Sequence, residues 1–403
     1  MTRTQEEFLR ILRAALRGER TETELSDAEL PELFETALKQ HLLPMVAEAV
    51  PGAFERAQGN ELIAEYRSFA IRQTVSEAAH SLDFRALYRC LRREGLHPIV
   101  MKGELCRRLY PWSYHRISAD NDMHIAADEF PACHRALLAY GLSTEVADEQ
   151  LEHSDEVTYR DADGRFYIEL HRHLFDTSGE APDDLNAFFT GLFAAPAEIG
   201  GLLAMPPHEH LLYLLLHAYK HFIYSGVGIR QTCDIALWAR EYAGEIDWPL
   251  LLVQCRLVHA ERFAAAQFGI AAQHLGCPLP LPECWQDIGA DTEPMLADMF
   301  SGGVYGSDSL TRLHTSTVTL NAIRKSRAGE SSGILRSIFP TREYMEGRFP
   351  YLRKHPALLP AAWAGRIFGY LKELGQDDSS SASGSLRLAR ERIELLKHYG
   401  VID

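Results

Sequence analysis

Asp120 and Asp122 stand one residue apart in "RISADNDMHIAADEF" (116–130), behind an arginine and within a stretch whose alternation reads as a strand. Side chains alternate along a strand, so both carboxylates point to one face. Two unit charges ~4 Å apart repel by about 4 kcal/mol at an effective dielectric near 20. A fold that brings them together needs a cation, a basic partner or open water. A third acid lies in "RFYIELHRH" (165–173), where Glu169 shares an alternating set with Tyr167 and His171, opposite Phe166, Ile168 and Leu170. If that strand lies beside the Asp120 strand, three carboxylates converge. Hard oxygen ligands in this arrangement suit Mg²⁺ or Mn²⁺. Such ions can activate a nucleophile and stabilise a leaving pyrophosphate. A D-x-D pair is common by chance, and the order of the surrounding elements is what gives this one weight.

Those elements form a mixed block between helical regions. "HPIVM" (97–101) is a short apolar run, a buried strand. Lys102–Gly103 follows, then "ELCRRLY" (104–110) as a short helix stopped by Pro111. "SADNDMHI" (118–125) is the acidic strand, and "DEFPACHRALLAYGL" (128–142) a helix ending at Gly141. "EVTYRDADGRFYIELHRHL" (156–174) reads as a hairpin around "DADG". A small mixed sheet with helices on one face is the expected product, an α+β fold.

Before this block, residues 1–95 read as helical. The longest pattern runs from Asn60 to Gly95, with Leu62, Tyr66, Phe69, Val75, Ala79, Leu82 and Leu91 as its expected buried face. After it, 206–226, 229–242, 249–275 and 286–300 read as helices and 301–309 as a loop. Residues 310–350 are polar and less regular, 358–374 is a helix, "GQDDSSSASGS" (375–385) a mobile linker and 386–400 a last helix. The expected regions are thus 1–95 (helical), 96–200 (the mixed block) and 201–403 (helical, with the linker).

The chain has 403 residues and a formal charge of −15, which argues against non-specific binding to nucleic acid or an anionic membrane. Its seven cysteines are scattered without CxxC spacing and read as buried free thiols. The N-terminus lacks the continuous apolar core of a signal peptide, and "HLLYLLLHAYKHFIY" (210–224) is too short and too interrupted to span a bilayer. The expected location is the cytoplasm.

The order strand, small-residue turn, short helix, D-x-D strand and later acidic strand resembles the nucleotidyltransferase superfamily with the DNA-polymerase-β-like palm. In particular the chain is similar to the bacterial uncharacterised nucleotidyltransferase family. The residues that carry the likeness are Lys102–Gly103, Tyr110, Arg116, Asp120-Asn121-Asp122 and Glu169-Leu170-His171. "HAYKHFIYSGVGIRQTCDIALW" (217–238) and "IFPTREYMEGRFPYL" (338–352) extend it. The chain departs from the wider pattern in carrying Lys102–Gly103 where Gly-Ser is usual, and Asn121 and His124 where apolar residues are usual.

The resemblance implies a palm between N-terminal and C-terminal helical regions, and transfer of a nucleotidyl group from an NTP to a hydroxyl or phosphate, releasing pyrophosphate. Asp120 and Asp122 would hold the metal that grips the triphosphate, and Glu169 would help hold the metal that activates the acceptor. Lys102 and Arg116 would neutralise phosphate charge, and Gly103 would admit close approach of backbone N–H groups. His171 would support the metal ligands. His217 and His221 share a helix face, a spacing that also suits zinc but here lacks a glutamate and a third ligand. Arg230 and Asp234, four apart, read equally as an internal salt bridge stitching two helices; on the other reading Lys220, His221 and Arg230 face the palm across a cleft and touch the nucleotide or acceptor, with His217 and Asp234 supporting them from behind. "HEH" (208–210) reads as a solvated helix start. The acceptor, a small molecule, peptide or protein, is not legible. Two rival readings stand beside this one: a non-catalytic scaffold, and a phosphotransferase moving the terminal phosphate.

Overall fold

The computed structural model describes residues 1–303 apart from 119, 152–153, 178–183 and 290, and then 358, 359, 362 and 382–402. Most of the expected loop at 301–309, the segment 310–350, the patch 338–352, most of the helix expected at 358–374 and the linker as far as 381 lie outside the described residues. The last helix begins at Ala382, inside the stretch expected as linker.

The N-terminal region is helical: α1 (Arg3–Ala15), α2 (Leu30–Lys39), α3 (Leu43–Ala49), α4 (Pro51–Arg56) and α5 (Glu61–Arg93). The existence of α5 agrees with the sequence pattern, but its buried face does not. Leu62, Phe69, Val75 and Leu82 are exposed, the last two at 65% each, while Ile63, Ala70, Glu77, Ser81, Phe84, Leu87 and Tyr88 are buried with Leu91. The buried stripe contains a glutamate because Glu77 has partners. It pairs with Arg107, itself buried, and accepts the backbone N–H of Ser118 at 2.9 Å. A charge so paired can sit in a core, and apolar periodicity alone does not reveal that.

The mixed block follows as β1 (Ile99–Val100), α6 (Gly103–Cys106), β2 (Asn121–His124), α7 (Phe130–Tyr140), α8 (Asp148–Leu151), β3 (Glu156–Arg160) and β4 (Tyr167–His171). Gly141, in the left-handed region at φ 103°, stops α7 as expected. The β3–β4 hairpin closes on Asp161, whose carboxylate accepts the N–H groups of Arg165 (2.7 Å) and Phe166 (3.0 Å). Two further short strands, β5 (Ala197–Ile199) and β6 (Leu202–Ala204), flank Gly200–Gly201, both at positive φ. Among the described residues the sheet has six strands in the order β3-β4-β2-β1-β6-β5. β2 runs antiparallel to β1 and parallel to β4, and β1 runs parallel to β6.

The sheet's alternation divides its chemistry. Met123, Val157, Tyr159, Ile168 and Leu170 are fully buried on one face. There α7 packs, with His134 hydrogen-bonded to the Tyr159 hydroxyl at 2.7 Å. Asp122, His124, Glu169 and His171 occupy the other face. That face is walled by α9 (Pro207–Tyr224), so helices stand on both sides of the sheet rather than one. The rest is helical: α10 (Ile229–Glu241), α11 (Trp248–Leu257), α12 (Glu261–Gln273), α13 (Glu283–Gln286), α14 (Glu293–Gly302) and α15 (Ala382–His398). All seven cysteines are free, five of them buried. No helix among the described residues is long and apolar enough to cross a membrane.

Candidate active site

Register builds the acidic row. In the parallel β2–β4 pair Asp122 lies opposite Glu169 and His124 opposite His171, so Asp122, Glu169 and His171 share a face on neighbouring strands. Their ligand atoms lie within 4.8 Å of one another, a group that could hold a metal ion. Asp120 precedes β2 and stands outside that compact group, yet lines the same cavity. This cavity, about 260 Å³, lies between the acidic face and α9, with His217, Lys220 and His221 on the helical side.

Asp122 is 1% exposed. Its Oδ1 accepts from the Lys102 ammonium at 2.8 Å and faces His171 Nε2 at 3.2 Å. Its Oδ2 is buried and has no hydrogen-bond partner among the described residues. Burial alone would raise the Asp122 pKa; the Lys102 charge and the His171 hydrogen bond override it and hold the carboxyl well below the usual range. Burial likewise opposes a charged His171, but its hydrogen bond to Asp122 and the nearby Glu169 carboxylate raise it to about 9. Its Nε2 is 3.7 Å from Glu169, and its Nδ1 is 3.5 Å from Glu156.

Lys102 is aimed by its backbone. It caps α6 with φ 47° and ψ −108°, a conformation that a side chain disfavours. Its N–H donates to His210 Nε2 at 3.2 Å, and its ammonium lies 3.2 Å from His217 Nε2. Burial, and then the Lys102 charge, depress His217 far below its ordinary value. His217 is therefore neutral and accepts from Lys102. Burial and the neighbouring lysines take His221 down to about 3, and burial lowers Lys220. His210 is fully buried against Trp238, 3.9 Å between ring centroids, which corrects the solvated start expected for "HEH". Helix spacing carried the missed signal: His210 lies seven residues before His217 and so shares its face.

Gly103 sits where the acid-bearing loop passes. A Cβ there would meet Ser118 Oγ at 3.0 Å and the Asp120 carbonyl oxygen at 3.6 Å. Arg116, fully buried, donates to Asp234 through Nη2 at 2.7 Å and Nε at 3.2 Å, and also to Ser118. The Tyr110 hydroxyl donates to the same aspartate at 2.8 Å, and Arg230 lies 3.7 Å from it. Burial would raise Asp234, but the Arg116 and Arg230 charges hold it low. Arg116, Arg230 and Asp234 line a small second cavity with Lys102, Gly103 and Asp120. The start of α10 is closed by the chain's own side chains, since Gly228 N–H donates to Gln231 and Ile229 N–H to Gln40. The structure thus gathers Lys102, Asp120, Asp122, Glu169, His171, His217, Lys220 and His221 around one cavity. Gly103, Arg116, Arg230 and Asp234 adjoin it.

A family model described as uncharacterised nucleotidyltransferase matches residues 26–276. No curated protein and no solved structure matches the chain.

Proposed function

The chain belongs to the uncharacterised nucleotidyltransferase family, and from that membership we propose metal-dependent transfer of a nucleotidyl group from an NTP to a hydroxyl or phosphate acceptor, with release of pyrophosphate. On this reading the block 96–200 is a polymerase-β-like palm between helical regions 1–95 and 201–403. The supporting observation is Asp122 in register with Glu169, one of its oxygens buried beside a cavity with no hydrogen-bond partner among the described residues. A buried carboxylate oxygen without a donor is costly unless a cation takes it.

The donor set fits a hard divalent ion, Mg²⁺ or Mn²⁺. Asp122 and Glu169 would hold it, with Asp120 reaching from the loop at the cavity mouth. The bound ion supplies Lewis-acid stabilisation of a phosphoryl oxygen and a lowered pKa for an attacking oxygen. The chain's own residues do the rest. Lys102, from the turn after β1, and Lys220, from α9, offset triphosphate charge, and His171 orients the Asp122 carboxylate by hydrogen bonding to it. His217, neutral, holds the Lys102 ammonium in place. Gly103 lets the chain approach the loop closely without a side chain in the way. Arg116, Arg230 and Asp234 hold the wall of the adjoining cavity through their ion pairs.

The test is unfolding of the full chain with ATP, GTP, CTP or UTP, each with Mg²⁺ and with chelator, beside mass spectrometry of the small-molecule products. Nucleotide at 100 times its Kd adds about 2.7 kcal/mol of stability, and this is expected only with the metal. Equal stabilisation in chelator would sink the metal reading. A nucleoside diphosphate in place of pyrophosphate would mark a terminal-phosphate transferase, and no nucleotide response in either condition would favour a non-catalytic scaffold.

A further inference from the structure

Lys102 occupies more of the site than a phosphate contact requires. Its ammonium sits 2.8 Å from Asp122 Oδ1, and the same oxygen faces His171 Nε2 at 3.2 Å. The ammonium also lies 3.2 Å from His217 Nε2, a neutral acceptor. Two-metal sites place their ions about 3.5–4 Å apart, commonly with a shared carboxylate giving one oxygen to each. At Asp122 one carboxylate oxygen is taken by an ammonium, and the other is buried and without a hydrogen-bond partner among the described residues. The backbone fixes this division. Lys102 adopts φ 47° in the turn after β1, a conformation held by its N–H bond to His210. That constraint aims the side chain at Asp122 rather than at solvent.

We propose that Lys102 is a built-in replacement for one of the two cations, so that the site takes a single divalent ion, on Asp122 Oδ2 and Glu169. This deepens the reading above and rests on it. It also gives a physical reason for a lysine at a strained turn position. A fixed ammonium on Asp122 Oδ1 repels a second divalent ion at close range while still offsetting the carboxylate's charge.

The experiment is Mn²⁺ titration of the full, chelator-treated chain, read by equilibrium dialysis and electron paramagnetic resonance. The wild type is expected to bind one Mn²⁺ with no spin coupling between ions. Lys102→Gly, which suits the backbone conformation, and Lys102→Met are each expected to bind two with spin-coupled broadening. Lys102→Arg, which keeps a cation, should still bind one. Circular dichroism of each variant checks that it folds, and the glycine variant is the one its turn geometry favours. Two coupled ions in the wild type, or one ion in both Lys102→Gly and Lys102→Met, would overturn the inference while leaving metal dependence intact. No Mn²⁺ bound by folded wild-type protein would instead overturn the metal reading, and this inference with it.

Discussion

His171 should make the metal-free protein's stability fall as pH rises through the weakly alkaline range. Its ring is surrounded by Asp122 on β2, Glu169 on β4 and Glu156 on β3, with the cation Lys102 and the neutral His217 nearby. Those carboxylates raise its pKa from 6.5 to about 9 against the effect of burial. A raised folded-state pKa means that the native protein holds this proton more tightly than the unfolded chain does. The contribution is therefore complete below pH 6.5 and lost as pH climbs to about 9. At about 1.4 kcal/mol per tenfold change in proton affinity, it amounts to about 3 kcal/mol. The assay is urea unfolding in chelator at a series of pH values on either side of this window, comparing wild type with His171→Gln. The difference between the two proteins cancels other titrating groups; Lys220, lowered by burial, works in the opposite sense. Wild type should exceed the variant by about 3 kcal/mol more at the acid end than at the alkaline end. A difference that stays constant with pH would mean that His171 is neutral in the fold, and that its bond to Asp122 is an ordinary hydrogen bond.

Below pH 6.5 the slope should reverse. His41 and His124, lowered to about 4, and His210 and His221, lowered to about 3, are each kept neutral chiefly by burial. The unfolded chain then binds more protons, so stability falls with acid by about 5 kcal/mol per pH unit for the four together, and acid unfolding is expected near pH ~5; circular dichroism against pH checks it, and a native signal at pH ~4 would refute it. Lys102→Ala and Lys102→Gly both remove the ammonium from Asp122, but only glycine relieves φ 47°. Lys102→Gly should be the more stable by about 1 kcal/mol in thermal unfolding, and both should lie below wild type because one member of a buried pair is gone. Asp234→Asn should cost about 3–5 kcal/mol in chemical unfolding, since it strips the buried Arg116 of its counter-charge; an effect under about 1 kcal/mol would show that the remaining amide and Ser118 suffice for Arg116.

The acidic row was legible because strand alternation is strict. Asp122 and Glu169 share a face on neighbouring strands for the same reason that Ile168 and Leu170 share the other. The hairpin was legible from "DADG" and its flanking alternation, and α7 from the glycine that ends it. The β5–β6 hairpin was not, since three-residue strands around Gly200–Gly201 carry too little pattern to register. The buried face of α5 was misread because Leu62, Phe69, Val75 and Leu82 form a periodic apolar stripe that the fold leaves in solvent. The stripe that is buried contains Glu77 and Ser81, and its polarity is satisfied by Arg107 and Ser118, partners that no local pattern announces. His210 was misjudged for a related reason: its environment is set by Trp238 and by a backbone N–H more than a hundred residues earlier in the chain.

The bonds that hold the acidic face in place cross the regions into which the sequence divides. Glu77 of the N-terminal helices fixes the loop at Ser118 and pairs with Arg107. His210 and His217 of α9 hold Lys102 at its turn and against Asp122. Asp234 of α10 binds Arg116 and Tyr110, at the two ends of the segment that leads to Asp120. Each of these is a buried, partnered polar group whose loss would strand the other member. The sheet therefore supplies the carboxylates, and the helices on either side decide where those carboxylates stand. A site built this way makes local backbone strain at Lys102 tolerable, because several independent contacts determine it at once.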